Sequence, residues 1–381
     1  MSFDPHNVDL DTADQRDVVC YMEAGENEYD GRLGARISAL FVILIVSSAV
    51  TFFPVVATRF RKLRIPLYVY LFARYFGTGV IVATAFIHLL APAYEEIGPA
   101  TCVGLTGGWA GYAWPPAIAL ASGMIVFLMD FAAERYVEKK YGWSHGGHDE
   151  EAFDAANKRW APNGCSNHQA LHSGEQDGTI PASSNNHAND STAVAEGKLG
   201  HASERSSIDT EDTLATERSF QQQIAAFLIL EFGVIFHSVI IGLTLGSAGD
   251  EFPVLYPVIV FHQSFEGLGI GARLSAIPFP KRVSWMPWAL CAAYGLTTPI
   301  AIAIGLGVRT TYNEASMTAN IVSGVLDSVS AGILLYTGFV ELLARDFLFN
   351  PERTRKDGQL AFMVISVLLG AGIMALLGKW A

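Results

Sequence analysis

The sequence is poor in charged residues: Asp, Glu, Lys and Arg make up 16% of its 381 residues, whereas 51% are hydrophobic. A soluble protein of this length carries about a quarter charged residues and shorter apolar runs, so that class is excluded. Cysteine is also scarce, since only four are present, which excludes a disulfide-rich scaffold. The chain contains neither a GxxxxGK[ST] phosphate-binding loop nor an HExxH pair. These two absences argue against an ATP-driven pump and against that class of zinc hydrolase.

The apolar residues are instead concentrated in blocks of about 20, the length that an α-helix needs to cross a hydrocarbon core about 30 Å thick. All the blocks exceed the average core helix of about 11 or 12 residues. The eight blocks are Ile37–Thr58, Leu67–Ala91, Ala113–Ala133, Ile224–Ser247, Phe252–Leu274, Trp285–Val308, Ala319–Ala344 and Leu360–Leu377. The sequence therefore predicts an all-α polytopic membrane protein with eight transmembrane helices.

Basic residues fall mainly in the links that follow odd-numbered spans, as in Arg59, Arg61, Lys62 and Arg64 after the first. Because cytoplasmic links carry the excess of Lys and Arg, we expect these links in the cytosol and both termini outside. The segment 134–223 is rich in Ser, Asn and Gly and poor in large apolar residues, which predicts a long disordered loop. The expected regions are an acidic extracellular tail (1–36), spans one to three (37–133), a cytosolic variable loop (134–223) and spans four to eight (224–381).

Ligand-type side chains lie at the middle of the fourth and fifth spans, in "LEFGVIFHSVIIGLTLG" (230–246) and "VIVFHQSFEGLGIG" (258–271). His262 and Glu266 are spaced i, i+4, so they share a helix face with Cβ atoms about 5–6 Å apart. An ionised carboxylate at this depth costs several kcal/mol unless it is paired. We therefore predict a cation site formed by His237, His262 and Glu266, which suits Zn²⁺ and also Fe²⁺. The alternatives are a hydrogen-bonded pair between helices and, for His237, a buried histidine bonded to Ser238 or to a carbonyl.

The motifs "HSVIIG" (237–242) and "HQSFEG" (262–267) resemble the signature of the ZIP (Zrt/Irt-like) divalent-metal transporters, particularly the fungal and plant members. The resemblance covers all eight spans. It implies a 3+2+3 arrangement of helices with inverted repeats, metal ligands on spans four and five, and import by an elevator-like secondary carrier. Many members bind a second metal through Asn and an acidic residue, where this chain has Ser238 and Gln263. We therefore expect one strong site, with these two residues as secondary contacts.

Several other residues are candidates for weaker roles. His88, Asp130 and Glu231 are candidate stations on a transport path, although polar residues near an interface are also common without one. In the central loop His145, His148, Asp149 and Glu150 form a cluster that either binds metal for regulation or belongs to a flexible tether. Cys20 and Cys102 both fall on the expected outer side, where either a disulfide or two unrelated thiols is compatible with the sequence.

We expect a transporter of divalent metal, with Zn²⁺ as the first candidate and Fe²⁺, Mn²⁺ and Cd²⁺ as alternative substrates. A rival from another class is an intramembrane zinc-dependent hydrolase, which needs a separate general base. The expected partners are the metal ion and the lipid bilayer, with a homodimer as a candidate assembly and no nucleic acid. Loop lysines are candidate sites for the ubiquitin machinery. Analogy with the family favours the plasma membrane.

Overall fold

The computed structural model of the chain describes residues 8, 13–23, 29, 31–60, 66–141, 200–311, 313, 315–350 and 354–380. All regular structure within these ranges is helical. In chain order the helices are α1 (Gln15–Glu23), α2 (Leu33–Arg59), α3 (Leu67–Ile97), α4 (Trp114–Tyr141), α5 (Gly200–Ser247), α6 (Phe252–Ala276), α7 (Met286–Val308), α8 (Met317–Phe349) and α9 (Asp357–Leu377). Short 3₁₀ turns lie at Gly107–Trp109 and Lys281–Val283.

The eight predicted spans all correspond to helices, α2 to α9. Among the described helices, seven are long and apolar enough to cross a membrane, and α6 is outside that set. With 25 residues α6 has the length to span, but it carries His262, Gln263, Glu266 and Arg273. These polar side chains lower its mean hydropathy, so the helix that bears the predicted site is also the least typical span.

The helix α5 begins at Gly200 rather than at the expected Ile224, so the backbone of 200–223 is helical where composition predicts a loop. Its sequence there contains Ala, Glu, Leu, Arg and Gln, which are good helix formers. Once the span has nucleated the helix, each added residue of this kind extends it at little cost.

The chain divides into two compact units. One comprises Met1–Glu134 and Thr216–Ala381 and contains the packed spans; the other is Arg135–Ala215. In the second unit the described parts are helical ends, 135–141 of α4 and 200–215 of α5. The site and its surroundings therefore belong to the first unit.

The helix α6 packs against both α2 and α3, and α3 packs in turn against α9. The backbones of α3 and α6 meet at Gly77 and Gly269, where a Cβ on either residue would overlap the backbone of the other. Small residues allow transmembrane helices to approach this closely, which gains dispersion contacts where no hydrophobic driving force exists. The close seam places the side chains of α3 beside the predicted ligands on α6.

Two spans change from α-helical to π-helical geometry part-way along their length. The π-helical stretches are Thr84–Leu90 in α3 and Thr337–Phe349 in α8. These are the second and seventh spans, which the expected inverted repeat would pair. Such segments are frequent at functional sites because the wider turn reorients the side chains that follow. In α3 the stretch begins at the residue that contacts the predicted site.

The bundle of helices has two ends. The basic end is the one that bears Arg59, Lys281 and Arg345, and the opposite end is the one that bears Ile97, Ser247 and Val308. The first helix lies with the opposite end, because a disulfide joins Cys20 of α1 to Cys102 after α3, with Cα atoms 4.6 Å apart. The carboxylate of Glu23 also accepts a hydrogen bond from the backbone N–H of Cys102 at 2.8 Å. The N-terminal helix is thus tied to the link between α3 and α4.

Candidate metal centre

The structure brings together His237 of α5 with His262 and Glu266 of α6. All three side chains are 1% exposed, and one ligand atom from each lies within 4.8 Å of the others. The Nε2 atoms of the two histidines are 3.1 Å apart, and Nε2 of His262 is 3.3 Å from Oε1 of Glu266. Among the described residues this is the group of His, Cys, Asp and Glu side chains with the geometry to hold a metal ion.

Two of the three separations between ligand atoms fit a tetrahedral ion, and the third, between His237 and Glu266, is at most 4.8 Å. A Zn²⁺ with ligand bonds of about 2.0–2.2 Å holds neighbouring ligand atoms about 3.3 Å apart. The 3.1 Å between the histidine nitrogens and the 3.3 Å between His262 and Glu266 are close to that value. Two imidazole nitrogens and one carboxylate oxygen leave a fourth position open, as is usual where an ion has to exchange. The donor set therefore suits a divalent cation that enters and leaves.

The helix α3 supplies two further contacts, from residues one π-helical turn apart. The hydroxyl of Thr84 donates to Oε1 of Glu266 at 3.0 Å, the same oxygen that faces His262. The ring of His88 packs edge-on against that of His262, with centroids 4.6 Å apart and planes at 85°. Nε2 of His88 donates to the carbonyl oxygen of Met374 at 3.2 Å, which anchors the ring to α9. Partners of this kind orient metal ligands before the ion arrives.

Buried polar atoms without a partner also occur at, and next in sequence to, the three predicted ligands. Ser238 and Gln263 are buried, and neither the Ser238 hydroxyl nor the Gln263 amide has a hydrogen-bond partner within the described residues. The second carboxylate oxygen of Glu266 is likewise buried without a partner there. The phenol of Tyr294 donates to the backbone carbonyl of Gln263 at 2.9 Å. Buried polar groups without a protein partner are normally satisfied by water or an ion. Because Ser238 and Gln263 are neutral, they add no negative charge to that of Glu266 for a second divalent metal.

The remaining predicted residues lie apart from the three ligands. Glu231 on α5 is 3% exposed, and neither carboxylate oxygen has a partner among the described residues. Asp130 on α4 accepts a hydrogen bond from the hydroxyl of Tyr336 at 2.9 Å. The loop candidates His145, His148, Asp149 and Glu150 lie outside the described residues.

Sequence reasoning missed the ionic groups of α3, α6 and α8 at the basic end. Arg74 pairs with both carboxylate oxygens of Asp346, at 2.8 and 2.9 Å, and Arg273 donates to the Thr78 hydroxyl at 2.8 Å. A cavity of about 480 Å³ opens between these helices and α5. Arg74 and Arg273 lie within predicted spans, where an ionisable side chain is a functional hypothesis by default, and Asp346 follows the end of the predicted seventh span by two residues. An ionisable side chain within an apolar span was therefore the sequence feature that could have identified Arg74 and Arg273.

Comparisons with known proteins find relatives over nearly the whole chain. The family model described as "ZIP Zinc transporter" matches residues 33–378. Zinc-regulated transporter 1 of Saccharomyces cerevisiae is 56% identical over 384 residues, which cover 100% of this chain and 97% of that protein. Zinc-regulated transporter 1 of Schizosaccharomyces pombe is 43% identical, covering 96% and 89%, and zinc transporter 3 of Arabidopsis thaliana is 31% identical, covering 93% and 88%. No solved structure matches the chain.

Proposed function

Because the chain belongs to the ZIP zinc transporter family, and so is a multi-pass membrane transporter rather than an enzyme, we propose that it imports Zn²⁺ into the cytosol. The ion would bind at His237, His262 and Glu266. The observation that carries this proposal is the convergence of these three buried ligand atoms within 4.8 Å, near the middle of the predicted fourth and fifth spans. The names of the relatives, zinc-regulated transporters and zinc transporters, support zinc as the substrate.

The direction of transport follows from the expected orientation. The basic end faces the cytosol under the positive-inside rule, which leaves both termini and the disulfide of Cys20 and Cys102 outside, at the plasma membrane. Each elementary charge that moves down 100 mV gains about 2.3 kcal/mol, so a divalent ion gains about 4.6 kcal/mol. That free energy supports more than a thousandfold accumulation without ATP. A secondary carrier is therefore sufficient.

One ion per transport cycle is the stoichiometry that the site favours. The residues next to His237 and His262 in the sequence are the neutral Ser238 and Gln263, both buried, so a second divalent ion there would share the single carboxylate of Glu266. Burial of an uncompensated charge is costly, which disfavours that state. We propose that the loaded site moves between the two faces in an elevator-like motion. Fe²⁺, Mn²⁺ and Cd²⁺ accept the same donor set and are the competing substrates.

The test is uptake of radioactive zinc into proteoliposomes that contain the purified full-length chain. We expect saturable uptake in the wild type and more than a tenfold loss in His262→Ala and Glu266→Gln, because each change removes a ligand. His187→Ala makes the same substitution outside the spans and is expected to transport normally. Unlabelled Fe²⁺ and Mn²⁺ as competitors rank the substrates. A wild-type protein that binds zinc but does not move it would overturn the proposal.

A further inference from the structure

A pair of carboxyl groups lies at the opposite end of the bundle, where α3 ends and α8 begins. Glu96 is in the last turn of α3, and Asp327 comes one helical turn after Gly324 of α8. The two helices pack there, and a Cβ on Gly324 would lie 3.2 Å from the Cβ of Glu96. Side chains tilt towards the N-terminus of their own helix, and α3 and α8 run in opposite directions. Glu96 therefore leans into the bundle and Asp327 leans towards its end, so the two carboxyl groups converge.

No basic side chain neutralises either carboxyl group in the part of the chain that the structure describes. Oε2 of Glu96 and Oδ1 of Asp327 are both buried without a hydrogen-bond partner there, and Asp327 is 3% exposed. The charges that act on Glu96 are those of Asp327 and of Glu95, the exposed residue before it, and both are negative. One turn further along α8 the hydroxyl of Ser330 is likewise buried without a partner. The pair is thus electronegative and unsatisfied.

Facing carboxyl groups at a buried position are stable in one of two ways. They share a proton or they bind a cation, because two like charges buried without compensation repel each other and lose their hydration. The position of the pair favours the cation. Glu96 is eight residues after His88, which is about 12 Å along the axis of α3, and the ring of His88 packs against that of His262. The pair therefore lies about two turns from the predicted ligands, on the helix that contacts them.

We propose that Glu96 and Asp327 together form a second divalent-cation site, which captures the ion at the opposite end before it passes His88 to the three ligands. Capture for import rests on the proposed function, whereas binding to the pair does not. Two carboxylates, rather than three ligand side chains, leave the remaining positions to water or to the hydroxyl of Ser330. Such a donor set suits hard cations such as Mn²⁺ and Mg²⁺. We therefore expect this site to be weaker than the one built from two imidazoles and Glu266.

The experiment counts the Mn²⁺ ions bound to the purified full-length protein by equilibrium dialysis, with free Mn²⁺ measured by electron paramagnetic resonance. We expect Glu96→Gln and Asp327→Asn each to bind one Mn²⁺ fewer per chain than the wild type, and the double variant to bind no fewer than either. Glu95→Gln removes the exposed neighbouring carboxylate and is expected to keep the ion. In proteoliposomes Glu96→Gln should raise the zinc concentration for half-maximal uptake by about tenfold at an unchanged maximal rate, because the pair concentrates cations at the entrance.

A shared proton predicts a different result. Both variants then bind as many Mn²⁺ ions as the wild type, and that count overturns the inference, as does loss of the ion in only one of two folded variants. Melting temperatures in detergent establish which variants fold, and half-buried Glu96 keeps the test decisive if Asp327→Asn does not. His262→Ala separates the two sites, because the pair should still bind Mn²⁺ in that variant. If His262→Ala leaves zinc uptake unchanged, the proposed function fails while the second site stands.

Discussion

The hydroxyl of Thr84 offers a sharp test of how the site is organised. It donates to Oε1 of Glu266 at 3.0 Å, and both residues are buried, at 0% and 1% exposure. Thr84→Val keeps the shape of the side chain and removes the donor. The carboxylate then loses one of the two contacts that hold the ligand oxygen, and His262 at 3.3 Å remains. We expect weaker zinc binding because the ligand has to be ordered when the ion arrives.

The size of the effect follows from the type of hydrogen bond. A bond to a charged group contributes about 1.5–3 kcal/mol, and loss of a partner that orients a metal ligand typically costs about 10–100-fold in affinity. Solvent does not screen the pair, since neither side chain is appreciably exposed. A bound ion neutralises part of the carboxylate charge, so we expect the loss in affinity to lie at the lower end of the 10–100-fold range. We therefore expect about a tenfold loss in affinity, or about 1.4 kcal/mol.

The assay is zinc binding to the purified protein together with the concentration dependence of uptake in proteoliposomes. Thr84→Ser keeps the hydroxyl and should retain affinity within about threefold. Thr58→Val is the matched control, because its hydroxyl bonds the carbonyl of Pro54 in its own helix at 3.0 Å, away from the ligands. Wild-type affinity in Thr84→Val, with unchanged thermal stability, would refute the view that α3 preorganises the carboxylate.

Two further predictions concern the packing of α3 against α6 and the disulfide. Gly77→Ala should lower the melting temperature in detergent, since its Cβ would overlap the backbone of Gly269, and overpacking costs about 1–3 kcal/mol. Gly372→Ala, where a Cβ meets nothing within 4 Å, should leave the melting temperature unchanged or raise it, and equal losses in both variants would contradict the packing argument. Peptide mapping without reductant should recover Cys20 linked to Cys102, and free thiols at both positions in freshly purified protein would contradict the disulfide.

Local information in the sequence was enough to predict the helices and to single out the three side chains that the structure brings together. An apolar block of about 20 residues has one low-energy conformation in a bilayer, the α-helix, because a helix satisfies every backbone hydrogen bond within the segment. The spacing of His262 and Glu266 is likewise a property of a single helix, and the depth of His237 follows from counting residues along its span. These features needed no knowledge of how the helices pack. The helical start of α5 at Gly200 differs from the predicted loop because the polar composition of this stretch favours a loop whereas its Ala, Glu, Leu, Arg and Gln residues have high helix propensity.

The contacts between helices were decided only by the tertiary structure. The sequence placed His88 on a candidate path, but its contact with His262 depends on the rotation of α3 and on the π-helical turn that begins at Thr84. The same is true of the pair formed by Arg74 and Asp346, whose partners are 272 residues apart. Helix rotation, register and neighbour choice are set by the sum of many weak packing contacts across the whole bundle. No local sequence pattern encodes that sum. The contacts of α3 with the site are therefore visible only in the tertiary structure.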